Sequence, residues 1–167
     1  RLQQFPEQLV NGLLQHGLLR ASVIPPQTIR QWRELTRLRK KYVHTVSDYR
    51  KRTHKLFESA NIKIDSVVSD LFGVTGRNLM KLLIADRELA LTDIQASVRG
   101  RLKGKEAELF RSIQGFFTGH HRFILKMLLR TIASLEAQIE ALDHQIRDVM
   151  KDNDAILDRM KKAPGIS

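Results

Sequence analysis

The chain has 167 residues, with 29 Lys and Arg against 18 Asp and Glu, and its formal net charge is +11. It contains no cysteine, which excludes a disulfide scaffold and any cysteine-based zinc site or nucleophile. Aromatic residues make up only 6% of the chain, and the 9 glycines and 4 prolines are few, so the composition favours helices. The excess of positive charge favours a polyanionic partner, either a nucleic acid or an anionic membrane face.

The first elements are short. An amphipathic segment over residues 1–20 precedes a linker over residues 21–26, where Pro25 and Pro26 disfavour a helix. Pro26 suits the first position of the next helix. Because the chain begins without Met, we expect a fragment, and its sequence has neither a signal-peptide pattern nor an apolar run of spanning length.

The spacing predicts a first long helix from residue 27 to about residue 60. Its apolar positions form two neighbouring stripes, of which one contains Val46 and Phe57 and the other Leu35 and Leu38, so more than one partner helix is expected. This helix has 10 basic and 3 acidic residues. Such a row can follow a phosphate backbone, and the alternative is an ordinary solvated face. The candidate phosphate-binding residues are Arg30, Arg33, Arg37, Arg39, Lys40, Lys41, Arg50, Lys51, Arg52 and Lys55.

Shorter elements follow over residues 61–117. Short helices are predicted over residues 78–85 and 105–113, and another at Thr92, because Gln95 gives the spacing of a capping box. A second basic cluster, Arg99, Arg101 and Lys103, is interleaved with glycines that would let the backbone approach phosphates. The alternative for this cluster is an ordinary surface turn.

A second long helix is predicted from residue 118 to about residue 160, with nearly balanced charge. Apolar residues alternate along it by 3 and 4 over more than four heptads, which indicates a coiled-coil seam. The seam supports either an antiparallel hairpin with the first long helix or a coil between two chains. Its candidate residues are Leu125, Leu128, Ile132, Leu135, Ile139, Leu142, Ile146 and Val149.

His120, His121 and Arg122 begin this helix, where they could meet a phosphate or pack against Phe116 and Phe117. Adjacent helix residues point about 100° apart, so the two histidines are poorly placed to share a metal. No catalytic set or cofactor motif is evident. We therefore expect no metal and no cofactor.

Several stretches, taken in order, resemble one known family. They are QHGLLR at residues 15–20, VIPP at 23–26, RELTR at 33–37, ANIK at 60–63, VVSDLFGVTGR at 67–77, HHRF at 120–123 and APGI at 163–166. This ordered set resembles the middle of the DEDD-type insertion-sequence transposases, the IS one-ten family, some of which are guided by a structured RNA. No single stretch is specific alone.

The resemblance implies a helical region between two catalytic domains. Residues 1–20 would then be the end of a RuvC-like domain, residues 27–162 a helical coiled-coil domain, and residues 163–167 the start of a C-terminal domain with a catalytic serine. The final acidic ligand of the family is expected near Pro6, yet residues 1–6 contain no carboxylate. With both catalytic halves absent, we expect that this chain does not cut DNA.

Together these observations predict an elongated all-α domain with two long helices, a cluster of short helices between them and a coiled-coil seam. The expected function is non-catalytic dimerisation and nucleic-acid binding in support of DNA transposition. The implied partners are DNA, a structured guide RNA and a second copy of the chain, without a membrane or a small-molecule substrate. The implied location is the bacterial cytoplasm, at the nucleoid. The alternative is a coiled-coil scaffold that binds no nucleic acid.

Overall fold

A computed structural model describes residues 25–85 and 89–151, and every regular element in these ranges is helical. The α-helices are α1 (Gln27–Ser59), α2 (Val74–Ile84), α3 (Leu91–Ser97), α4 (Glu106–Ser112) and α5 (Gly119–Lys151), with short 3₁₀ turns at Ile64–Ser66 and Gly100–Leu102. The predicted all-α class, with short helices between two long ones, is confirmed. The calls on residues 1–20, on residues 163–167, on most of the linker and on helix beyond residue 151 lie outside the described residues.

The two long helices form an antiparallel hairpin. Each has 33 residues and is therefore about 50 Å long. Ion pairs join Arg39 to Asp143 and Arg50 to Glu136, so residue numbers fall along α5 as they rise along α1. Of the two arrangements that the seam permits, the structure contains the one within a single chain. The seam residues are all buried or half-buried.

A cap built from the segment between the long helices covers one end of the hairpin, which we call the closed end. Side chains from the cap and from both long helices share its core, and the largest fully buried ones include Phe57, Ile64, Leu79, Met80, Ile94, Leu109, Leu125 and Ile132. Two backbone hydrogen bonds join the start of the cap to its end: Lys63 N–H donates to Ser112 O and Phe116 N–H to Ala60 O, both at 2.8 Å. A Cβ on Gly115 would lie 2.3 Å from Ala60 O, so this crossing requires glycine.

The short helices differ from prediction at their N-termini. Helix α2 begins at Val74, four residues earlier than expected. Its first turn passes close to Leu71, because a Cβ on Gly76 would lie 2.0 Å from the Leu71 carbonyl oxygen. Helix α3 begins at Leu91, one residue before the predicted start at Thr92, but its capping contact differs from the predicted one. Ala90 precedes the helix, and its N–H donates to Asp93 Oδ2 at 2.9 Å. A carboxylate therefore supplies the capping contact assigned to Gln95.

Candidate nucleic-acid interface

The side of α1 that faces away from α5 carries most of the basic residues predicted to bind phosphates. Helix α1 packs against the rest of the fold through the side that contains Val46 and Phe57. At about 100° per residue, eight basic positions lie within about 60° of the direction opposite Val46. All eight are exposed. We call them the basic face: Arg30, Arg33, Arg37, Lys40, Lys41, Lys51, Arg52 and Lys55.

The eight cations of the basic face outnumber the acidic residues on the same side of α1, which are Glu34, Asp48 and Glu58. Lys51 Nζ is 3.6 Å from Asp48 Oδ1, and the guanidinium carbon of Arg52 is 5.1 Å from the centroid of the Tyr49 ring. Within the part of the chain that the structure describes, the other members form no ion pair. Their charges therefore add to a positive potential along about 38 Å of helix.

Two of the predicted phosphate-binding residues, Arg39 and Arg50, lie instead on the side of α1 that meets α5. Arg39 donates through Nε and Nη2 to the two carboxylate oxygens of Asp143, with Nη2 3.1 Å from Oδ2. The hydrogen bond from Arg39 holds the pKa of Asp143 below its ordinary value. Because both arginines pair with α5 carboxylates, the structure does not bring them to the basic face.

Glu136 joins three helices near the closed end of the hairpin. Its Oε1 accepts a hydrogen bond from Arg50 Nη2 on α1 and another from Arg77 Nη2 on α2, each at 3.0 Å. Arg77 Nε also donates to Phe72 O at 2.7 Å, while the Arg50 guanidinium lies 5.0 Å from the Phe72 ring centroid. Burial raises the pKa of Glu136, but the hydrogen bonds from the two arginines outweigh it and lower the pKa.

Sequence reasoning missed Arg77 and Glu136. Glu136 is the first acidic residue of α5 and directly follows the seam residue Leu135. A carboxylate beside a seam indicates an ion pair across the helix pair, and this signal was available. Nothing in the sequence indicates Arg77 as its partner, since the two residues are 59 positions apart.

The second basic cluster lies in a tight turn between α3 and α4. Gly100 and Gly104 have φ angles of +61° and +92°, which explains glycine at both positions. Arg99 Nη1 donates to the carbonyls of Ala96 and Val98, both at 2.8 Å. Arg101 and Lys103 are exposed. Arg99 therefore forms hydrogen bonds to neighbouring backbone, whereas Arg101 and Lys103 remain in contact with solvent.

At the start of α5, the packing alternative holds for His121. Its ring stacks on Phe117 with centroids 5.7 Å apart, and its Nδ1 accepts the Thr118 N–H at 3.2 Å. This is the N-terminal cap of the helix, with His121 at the position where glutamate is common. Arg122 is half-buried beside Phe117 in a cavity of about 290 Å³, whereas His120 is exposed.

The end of the hairpin far from the cap, which we call the open end, has an apolar groove on one flank. Its volume is about 420 Å³, and its lining includes Leu35, Leu38 and Val149. Leu35 and Leu38 belong to the second apolar stripe of α1, for which a further partner helix was predicted. The groove is therefore a candidate surface for self-association.

Among residues 25–85 and 89–151, no three His, Asp or Glu side chains are grouped as metal ligands. No helix in the described ranges has the length and apolar character needed to cross a membrane. Comparison with family models, curated proteins and solved structures gives no match for this chain. The likeness to transposases therefore rests on the ordered stretches alone.

Proposed function

We propose that this chain is the nucleic-acid-binding and self-associating helical region of a DEDD-type insertion-sequence transposase. It has no catalytic activity of its own and supports DNA transposition at the bacterial nucleoid. The ordered stretches of sequence support the family. The basic face on α1 supports the binding role, and the open-end groove supports self-association.

The proposal rests on the excess of positive charge on the basic face, where eight cations outnumber three carboxylates. The cations lie along one side of a long helix in two groups, five over residues 30–41 and three over residues 51–55, and such a row can lie along a phosphate backbone. Each phosphate contact releases a condensed counterion, which makes binding strong at low salt and weak at high salt. Contacts of this kind position a nucleic acid without reading its bases. DNA and structured RNA are therefore both suitable partners.

The test measures affinity as a function of salt, by fluorescence anisotropy with a labelled DNA duplex and a labelled RNA hairpin. We expect the triple variant Arg33→Gln/Arg37→Gln/Lys40→Gln to bind more weakly. For DNA, the slope of log K against log salt should fall by about 0.9 for each phosphate contact removed. The matched control Lys63→Gln/Lys81→Gln/Arg111→Gln removes the same charge from exposed positions outside the basic face. Its slope should equal that of the unmodified chain.

Two results would overturn the binding role. Equal losses in the two triple variants would mean that only overall charge matters. Undetectable or salt-independent binding to both probes at low salt would favour the coiled-coil scaffold. Metal-dependent nicking of DNA by the chain alone would contradict its non-catalytic assignment.

The homodimer uses the groove at the open end, since α1 of the same chain covers the seam. Light scattering at micromolar concentration should give twice the chain mass of 19.3 kDa. We expect Leu38→Lys to give a monomer, because it places a charge in the groove. Val74→Lys, at an exposed apolar position on α2, is the control and should remain dimeric. A monomeric unmodified chain would refute self-association.

A further inference from the structure

The two halves of α5 differ in charge. Residues 119–135 include Arg122, Lys126 and Arg130 and no acidic residue, whereas the acidic residues of the helix begin at Glu136. The nearly balanced total for the second long helix conceals this division. Its first half is a second positive region of the molecule, on a different helix from the basic face.

This positive region also exposes large apolar side chains. Phe123 is 64% exposed and Met127, one turn further on, is 46% exposed. Phe116, three residues before α5, is 78% exposed although its backbone N–H is bonded to Ala60 O. The neighbouring Phe117 packs inward, with its ring centroid 6.1 Å from that of Phe57. Exposed aromatic rings held on a fixed backbone indicate a binding surface.

The exposed side chains of α5 share the side opposite the seam. Ile132 is buried against the core, and at about 100° per residue Phe123, Met127 and Arg130 lie roughly opposite it. Lys126 and Arg130 are exposed and form no ion pair within the described ranges. We call these side chains, together with His120 and the exposed Phe116 that precedes α5, the aromatic face: Phe116, His120, Phe123, Lys126, Met127 and Arg130.

We propose that the aromatic face binds single-stranded nucleic acid, with unpaired bases stacked on Phe116 and Phe123 and phosphates held by Lys126 and Arg130. The proposal rests on the proposed function, because it assumes a nucleic-acid partner, and it adds the strand state of that partner. Base–ring stacking beside basic side chains is the usual arrangement in proteins that bind single strands. The bases of a duplex are stacked on one another and leave no ring surface free for an aromatic side chain. The basic face therefore binds double-stranded parts of the partner, and the aromatic face binds its unpaired parts.

Charge complementarity favours this occupant over a membrane or a second copy of the chain. A helix on a membrane surface needs a continuous apolar side, whereas here basic residues are interleaved with Phe123 and Met127 at each turn. A second copy would bring the same positive surface against itself. A single strand of nucleic acid, with negative phosphates and flat bases, fits both the positive charge and the exposed rings of the aromatic face.

The test compares a single-stranded thymidine oligonucleotide, which carries one 2-aminopurine, with a blunt DNA duplex. In Phe116→Leu/Phe123→Leu the apolar character remains and the aromatic rings are lost. We expect about a tenfold or greater loss of single-strand affinity, together with weaker quenching of 2-aminopurine. Duplex affinity and its salt dependence should not change. The control Leu91→Ala alters an exposed apolar residue elsewhere and should bind both probes normally.

The two probes separate failure of this inference from failure of the proposed function. If the unmodified chain binds neither of these probes nor the RNA hairpin, both fall. If it binds the duplex and the double variant keeps full single-strand affinity, only the aromatic face is refuted. Binding to anionic phospholipid vesicles that depends on the two phenylalanines, with oligonucleotide affinity unchanged, would overturn it. So would a halved mass of the double variant in light scattering.

Discussion

The two ends of the α1–α5 hairpin are built from the same pair of helices but differ in packing. At the closed end, Phe57 and Ile132 are each 1% exposed beneath the cap. At the open end, Leu38 is 39% exposed. The apolar patterns of the two ends look alike in the sequence, so the difference comes from what each end packs against.

A pair of helices can bury one stripe of each partner, and α1 has two stripes. Near the closed end the second stripe continues with Leu56, which is buried in the core shared with the cap. At the open end Leu35 and Leu38 line a groove instead. Stability is therefore concentrated at the closed end, whereas the open end offers apolar surface for association.

The largest expected effect comes from emptying the closed-end core. Phe57→Ala should lower the free energy of unfolding by about 3–5 kcal/mol, because it removes a fully buried aromatic ring and leaves a cavity. Leu38→Ala, at the open end, should cost under about 1 kcal/mol. Denaturant unfolding monitored by circular dichroism measures both, at a concentration below that of self-association. Similar losses at the two ends would contradict the comparison.

A smaller effect is expected where the cap is joined to the hairpin by charge. Glu136→Gln weakens the hydrogen bonds from Arg50 and Arg77 and leaves the two cations without their shared carboxylate. We expect a loss of about 1 kcal/mol, since solvent screens this half-buried group. Glu140→Gln, one turn further along α5 and exposed, should change stability by less than about 0.5 kcal/mol. Equal effects of the two substitutions would show that Glu136 does not help to attach the cap to the hairpin.

The contribution of Glu136 to the free energy of unfolding depends on pH. The pKa of Glu136 is lower in the fold than its ordinary value of 4.5. Its contribution is therefore complete above that value and is lost as pH falls through the lowered pKa. The stability difference between the unmodified chain and Glu136→Gln should be full at neutral pH and shrink below about pH 4.5. A difference that stays constant down to pH 3 would show that the carboxylate charge is unimportant.

The long helices were predictable because a helical period repeated over many turns outweighs local ambiguity. Their observed starts, Gln27 and Gly119, lie within a residue of the predicted ones. The start of α2 was not predictable, since it depends on the close approach of Leu71 to Gly76. Contacts between segments, which a single sequence does not display, decide the ends of short helices.

The candidate site was predictable in composition but not in full geometry. The count of basic residues on α1 indicated a phosphate-binding helix without separating its two sides. Arg50 follows Val46 by four residues and therefore shares its packed side, a relation that the period alone could have revealed. The contact of Arg50 with Glu136 required the register of the hairpin, which only the folded structure provides.

The smallest expected effect tests the open end alone. Asp143→Asn weakens the half-buried ion pair with Arg39, and isolated pairs that solvent still reaches contribute little to global stability. We therefore expect no measurable change in the unfolding midpoint. Amide hydrogen exchange should still quicken in α1 around Arg39, because local opening there involves few buried contacts. Amides near Phe57 serve as the internal control, since they open only with the closed-end core. Uniform acceleration along α1 would mean that the hairpin opens as one unit and that its two ends are not independent.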